Sequence, residues 1–291
     1  MRNFPKIKIK KDTNNEVKLF LTFLHHPYYP RHQTLIFQNF PDLKNLFKNS
    51  KNEKRIIKEF LFNFYDIHKN KIDKIIKKSE LLIQKNGKSV LKNLSNLMDY
   101  QWSKSIIYYA IPTILPFSPF GTNKFYFSIL GQIYNKSRKN ILFIASHEIS
   151  HFIFYDFLKK IEQKIKKPVP DDLKNYFKEA LAAVLLNRKP LCNILDLHKY
   201  EGNPEIRDLQ IKKPNGAIIS FVQFIDEYYR TAKEKNKKSF ENFLEEILNI
   251  FLPTSKEFSK KRIIWNRYGK QLLEKPKALH LYQKPIQIKK E

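Results

Sequence analysis

Apolar positions change their spacing several times along this chain. From Asn52 to Gln84 they recur at helical intervals (Ile56, Ile57, Phe60, Leu61, Phe64), which predicts a long amphipathic helix ending near Gly87. A second, shorter helix is expected over Ser89 to Asp99. The first fifty residues read as short strands and loops. Ile7 and Ile9 alternate with lysines, and the apolar runs Lys18 to Leu24 and Thr34 to Phe37 are split by His25-His26-Pro27-Tyr28-Tyr29-Pro30. Ser105 to Ala110 is strand-like, Pro112, Pro116 and Pro119 make 111–121 a loop, and Lys124 to Tyr134 reads as another strand.

Helical spacing dominates the second half. Asn140 can cap a helix over Ile141 to about Lys166, stopped before Pro168. Pro170-Asp171-Asp172 opens another, to about Asn187, with acids at its positive end. Residues 189–216 read as loop. Amphipathic helices are expected over Gly216 to Lys235 and Ser239 to Leu252, and a last one over Lys256 to Leu273. The pattern predicts a mostly helical α+β protein.

Composition narrows the function classes. The 291 residues are 42% hydrophobic and 14% aromatic, enough to bury a core. A single Cys, Cys192, excludes a disulfide scaffold and a cysteine zinc ribbon. The formal net charge of +27 invites a nucleic-acid or anionic-membrane partner. Yet only 9 of the 55 basic residues are Arg, and the lysines run from Lys6 to Lys290. Such an excess of Lys, Asn and Ile is what an AT-rich genome writes on a solvated surface, so nucleic acid is the less favoured partner. The N-terminus lacks an apolar signal core, and Ile141 to Tyr155 is too short for a membrane span, which predicts a cytoplasmic protein.

His147-Glu148-Ile149-Ser150-His151 carries the chemistry. With 8 His and 17 Glu in 291 residues, about 0.01 such H-E-x-x-H matches arise by chance. Residues at i and i+4 lie about 40° apart and one turn along a helix, so two imidazoles can meet one ion. Glu148, rotated about 100°, can border that ion without binding it, as a general base must. Between Ile141 and Tyr155 Glu148 stands alone as a charge in a helix apolar on every side, where polar groups are costly without partners.

A catalytic zinc takes a third protein ligand. Cys192 follows a proline loop, Asp156 is rotated about 140° from His151, and Glu162 sits among Lys159 and Lys166 as an exposed ion-pair former. Glu179 differs, being an acid among Tyr176, Ala182, Ala183 and Leu186. The small Ala180, Ala182 and Ala183 would let its helix come close. Glu179 is therefore the expected third ligand, with one Zn2+ per chain.

IASHEISHF and KEALAAVLLN resemble the zinc helix and the downstream glutamate helix of gluzincin metallopeptidases. The resemblance spans about residues 105–188. It implies a zincin-like core with an active-site helix and small sheet, and helical extensions on both sides. It gives His147, His151 and Glu179 as zinc ligands, Glu148 as the water-activating base, and a peptide or protein as substrate. It also implies that Lys124 to Tyr134 is a cleft-edge strand that aligns the peptide. Phe157 stands where metzincins need a third His. Small metallopeptidase-like domains that regulate repressors share the motif pattern. His198, Tyr200 and Tyr228 are candidates for stabilising the oxyanion. The expected organisation is an N-terminal region over 1–100, a metallopeptidase domain over 101–275 and a basic tail over 276–291. The rival reading is a non-catalytic regulator or nucleic-acid-associated protein with a structural or degenerate metal site.

Overall fold

The computed structural model describes residues 4–26, 30–48, 52–102, 106–136, 139–213 and 215–259, with the two-residue strands at 264–265, 271–272 and 279–280. In order these are β1 (Lys6–Ile9), α1 (Thr13–Leu24), α2 (Pro30–Asn39), α3 (Pro41–Lys48), α4 (Glu53–Leu97), β2 (Ile107–Thr113), β3 (Phe120–Gly121), β4 (Lys124–Ser128), α5 (Leu130–Ile133), α6 (Ile141–Ile165) and α7 (Asp171–Leu186). Then come α8 (Lys189–Leu195), α9 (Pro204–Arg207), β5 (Gln210–Lys212), β6 (Ile218–Ser220), α10 (Phe221–Tyr229), α11 (Phe240–Phe251), α12 (Ser255–Ser259), β7 (Ile264–Trp265), β8 (Gln271–Leu272) and β9 (Leu279–His280). The chain is mostly helical with small sheets, an α+β protein as the pattern predicts.

It divides into two compact units. One comprises 1–91, 102–148 and 265–271; the other comprises 92–101, 149–264 and 272–291. The N-terminal hundred residues do not stand apart, because β1 pairs in parallel with β2 from Lys6↔Ile107 to Ile9↔Ala110. That long-range pairing is invisible to local spacing. Apart from β9, the expected basic tail lies outside the described residues.

In the first unit the sheet runs β1-β2-β4-β3, parallel except for β3. Three expectations change here. The runs at Lys18–Leu24 and Thr34–Phe37 are helical, inside α1 and α2. Asp12 caps α1 by accepting from Asn15 N, and Phe20 packs against Phe40 and Phe60. Gly87 does not end α4, which continues to Leu97. Finally, β4 is no free edge. The proline loop folds back so that Phe120 and Gly121 pair with it and Tyr126 N donates to Pro119 O, and its last residues lead into α5.

In the second unit Phe177, Phe221, Phe251 and Phe258 interlock edge-to-face around α7, with ring centroids 5.4 to 5.9 Å apart. Such pairs add about 0.5–1.5 kcal/mol each beyond their buried area. Ser220 and Ser239 cap α10 and α11. α10 begins five residues after Gly216, whose φ of +84° belongs to the turn joining antiparallel β5 and β6. The expected loop over 189–216 contains α8, α9 and β5, and the expected helix over 256–273 is limited to α12 among the described residues.

Candidate metal centre

Asn140 starts α6 as its spacing predicts, with its Oδ1 accepting from Leu142 N at 2.9 Å and Phe143 N at 3.1 Å. α6 runs unbroken for 25 residues, so helix geometry alone sets the His147–His151 spacing. The whole helix, which extends ten residues beyond the apolar run Ile141 to Tyr155, is by length and composition apolar enough to cross a membrane, but most of its apolar window is buried in the protein. Ser146 and Ser150 are buried, and the Ser146 hydroxyl donates back to Leu142 O. Glu148 is buried one residue after His147.

α7 brings the third group. Ala180, Ala182 and Ala183 are completely buried, so no long side chain on that face holds the helix off. Glu179 Oε1 lies 3.4 Å from His151 Nε2, with the two side chains 17% and 1% exposed. One donor atom from each of His147, His151 and Glu179 lies within 4.8 Å of the others. Among the described residues no other set of three His, Cys, Asp or Glu converges in this way.

The donor set fits a dication. Metal–ligand bonds of 2.0–2.2 Å in a tetrahedron place neighbouring donors about 3.3–3.6 Å apart, and His151 and Glu179 are 3.4 Å apart. Two neutral imidazoles and one carboxylate suit zinc and its borderline neighbours.

The other candidates are engaged elsewhere. Asp156 accepts from Tyr100 Oη. Glu162 pairs with Lys174 of α7 at 3.0 Å, not with its helical neighbours, and accepts from Val169 N. The Cys192 thiol faces Lys189 O. Of the oxyanion candidates, Tyr228 donates to Glu246, and burial with the Glu246 charge pushes its phenol up to about 12. His198 is exposed, and Tyr200 exchanges backbone hydrogen bonds with the Asn187 amide.

Sequence reasoning missed Lys178. Its Nζ lies 3.1 Å from Glu179 Oε1, with its side chain 12% exposed. Side chains at i and i+1 do not normally face each other on a helix, so spacing carries no signal for this pair. Comparison with known protein families, curated proteins and solved structures finds no match.

Proposed function

We propose that this chain is a zinc-dependent peptidase with a zincin-like core. The observation that carries the reading is the convergence of His147, His151 and Glu179 on one point, beside a buried glutamate. These three residues would hold the ion. When bound, zinc supplies Lewis acidity for the scissile carbonyl and lowers the pKa of a water toward neutrality.

The chain's own residues do the rest. α6 fixes both imidazoles on one face, and α7 delivers the carboxylate that balances part of the ion's charge. Glu148 is aimed about 100° from His147, and its carboxylate takes the water's proton and returns it to the leaving amine. The burial of Glu148 keeps bulk water from competing for that proton. A peptide or protein is the substrate.

One observation favours the rival reading. The Lys178 ammonium already neutralises the third-ligand carboxylate, as expected of a site that has exchanged its metal for an ion pair. Metal content separates the two. Mass spectrometry of the purified protein is expected to show about one zinc per chain, lost or much reduced in Glu179→Ala. Glu148→Gln is expected to keep the zinc and lose peptide hydrolysis by about 100-fold or more. No zinc after reconstitution removes the peptidase reading, and hydrolysis unchanged in Glu148→Gln removes Glu148 from the mechanism.

A further inference from the structure

The outer face of α4 carries a row of lysines that the metal centre does not use. Lys71, Lys74, Lys78, Lys85 and Lys88 follow one another at steps of three, four or seven residues, which places them on one side of the helix. All five are exposed, and none is ion-paired or hydrogen-bonded among the described residues. No acid interrupts the row. Asp73 lies off it and pairs with Lys11, and Glu80 is rotated about 100° from Leu81. Elsewhere lysines do find carboxylates, as in Lys164–Glu245, Lys174–Glu162 and Lys238–Glu246. With 55 basic residues against 28 acidic ones, many lysines of this chain lack a carboxylate, so what sets this row apart is its alignment on one helix face with no acid in it.

Two large apolar side chains occupy the same line. Ile67 is 76% exposed and Leu81 58% exposed, 14 residues and about 21 Å apart on the helix axis. We propose that this face of α4 docks on an anionic phospholipid surface, the lysines at the headgroups and Ile67 and Leu81 below them. A nucleic-acid backbone would give those two side chains nothing but phosphate to face. The row also lacks the arginines and aromatic rings that read or stack bases. Lysine stems snorkel readily to a lipid interface while their ammonium groups stay in water. This surface is independent of the peptidase reading.

The test uses the full chain and vesicles of phosphatidylcholine with about 30% phosphatidylglycerol, against phosphatidylcholine alone, at about 0.15 M salt. Co-sedimentation is expected with the anionic vesicles only. Each lysine near such a surface contributes roughly a fivefold factor in partitioning, so Lys74→Gln, Lys78→Gln, Lys85→Gln and Lys88→Gln together are expected to cost about 100-fold or more. The control removes the same charge elsewhere, at Lys159, Lys167, Lys189 and Lys235, and is expected to lose less than about fivefold. Ile67→Ser with Leu81→Ser is expected to lose about tenfold. Equal losses in the row and control variants, or no binding to anionic vesicles, would overturn the proposal. So would lysine-row-dependent binding to a DNA duplex that ignores the serine substitutions, which would make nucleic acid the partner.

Discussion

Glu16 shows what a single buried carboxyl does in the first unit. It accepts from Tyr65 Oη at 2.6 Å, Thr113 Oγ1 at 2.8 Å and Ile114 N at 2.9 Å, tying α1 to α4 and to the end of β2. Burial raises its pKa by more than the three hydrogen bonds lower it. A carboxyl whose pKa rises on folding binds its proton more tightly in the folded chain. Its contribution is fully present below the ordinary glutamate range and is lost as pH rises through the raised value. Glu16→Gln keeps an acceptor for Thr113 and Ile114 and turns an amide N–H toward the Tyr65 oxygen. It is expected to abolish this fall while leaving stability at acid pH within about 1 kcal/mol. Glu16→Ala strands three donors and is expected to cost about 2–4 kcal/mol. Urea midpoints from about pH 4 to 8 check both, and parallel wild-type and Gln curves would acquit Glu16 as the titrating group. Nothing local in the sequence marks this residue. Its partners lie 49 and 97 residues away, and a lone Glu near the N-terminus reads as solvated.

Gly87 illustrates how an element's own environment overrides a local signal. A glycine after a periodic stretch normally marks a helix end. Here α4 continues, and Gly87 is buried in mid-helix facing β1. A Cβ at this position would meet Ile7 Cδ1, the free end of its side chain, at 3.9 Å and Ile83 Cγ2, a branch methyl fixed by χ1, at 3.3 Å, so a shift of a few tenths of an ångström in Ile83 decides the outcome. Gly87→Ala is expected to stabilise the fold by about 0.5–1 kcal/mol through helix propensity, read as a Tm raised by a few degrees. A fall in Tm of that size would mean that Ile7 and Ile83 cannot yield. The same contest decides which elements spacing reveals. α6 and α7 are legible because each is long and consistently patterned, α6 opening on the Asn140 cap and α7 on Pro170 with acids in its first turn, and together they carry the three residues that could hold a metal. α1 and α2 are not, because runs of four to seven apolar residues suit a strand as well as a helix. Asp12, placed to accept from Asn15 N, is the cap that could have decided for α1. The pairing of β1 with β2 and the cover on β4 arise from residues far apart in sequence, and no window of local spacing contains them.

At the scale of the whole molecule, an ion held by His147, His151 and Glu179 would be coupled to folding. His151 and Glu179 are 28 residues apart in sequence but 3.4 Å apart in space, a separation the unfolded chain does not hold. An ion that binds only the folded arrangement raises stability by RT ln(1 + [L]/Kd), about 2.7 kcal/mol at one hundred times Kd. For a chain of this size that corresponds to a Tm rise of about 4 °C. Zinc titration followed by thermal unfolding is expected to show that rise, and a chelator to reverse it. Glu179→Ala is expected to abolish the shift, since two imidazoles one helical turn apart bind a dication far less tightly than three converging groups. Glu148→Gln is expected to retain it, because a general base stands beside the ion and not on it. That pair of variants separates holding the ion from using it. A zinc shift that survived Glu179→Ala would place the ion at other side chains and dissolve the link between α7 and the H-E-x-x-H helix on which the peptidase reading stands.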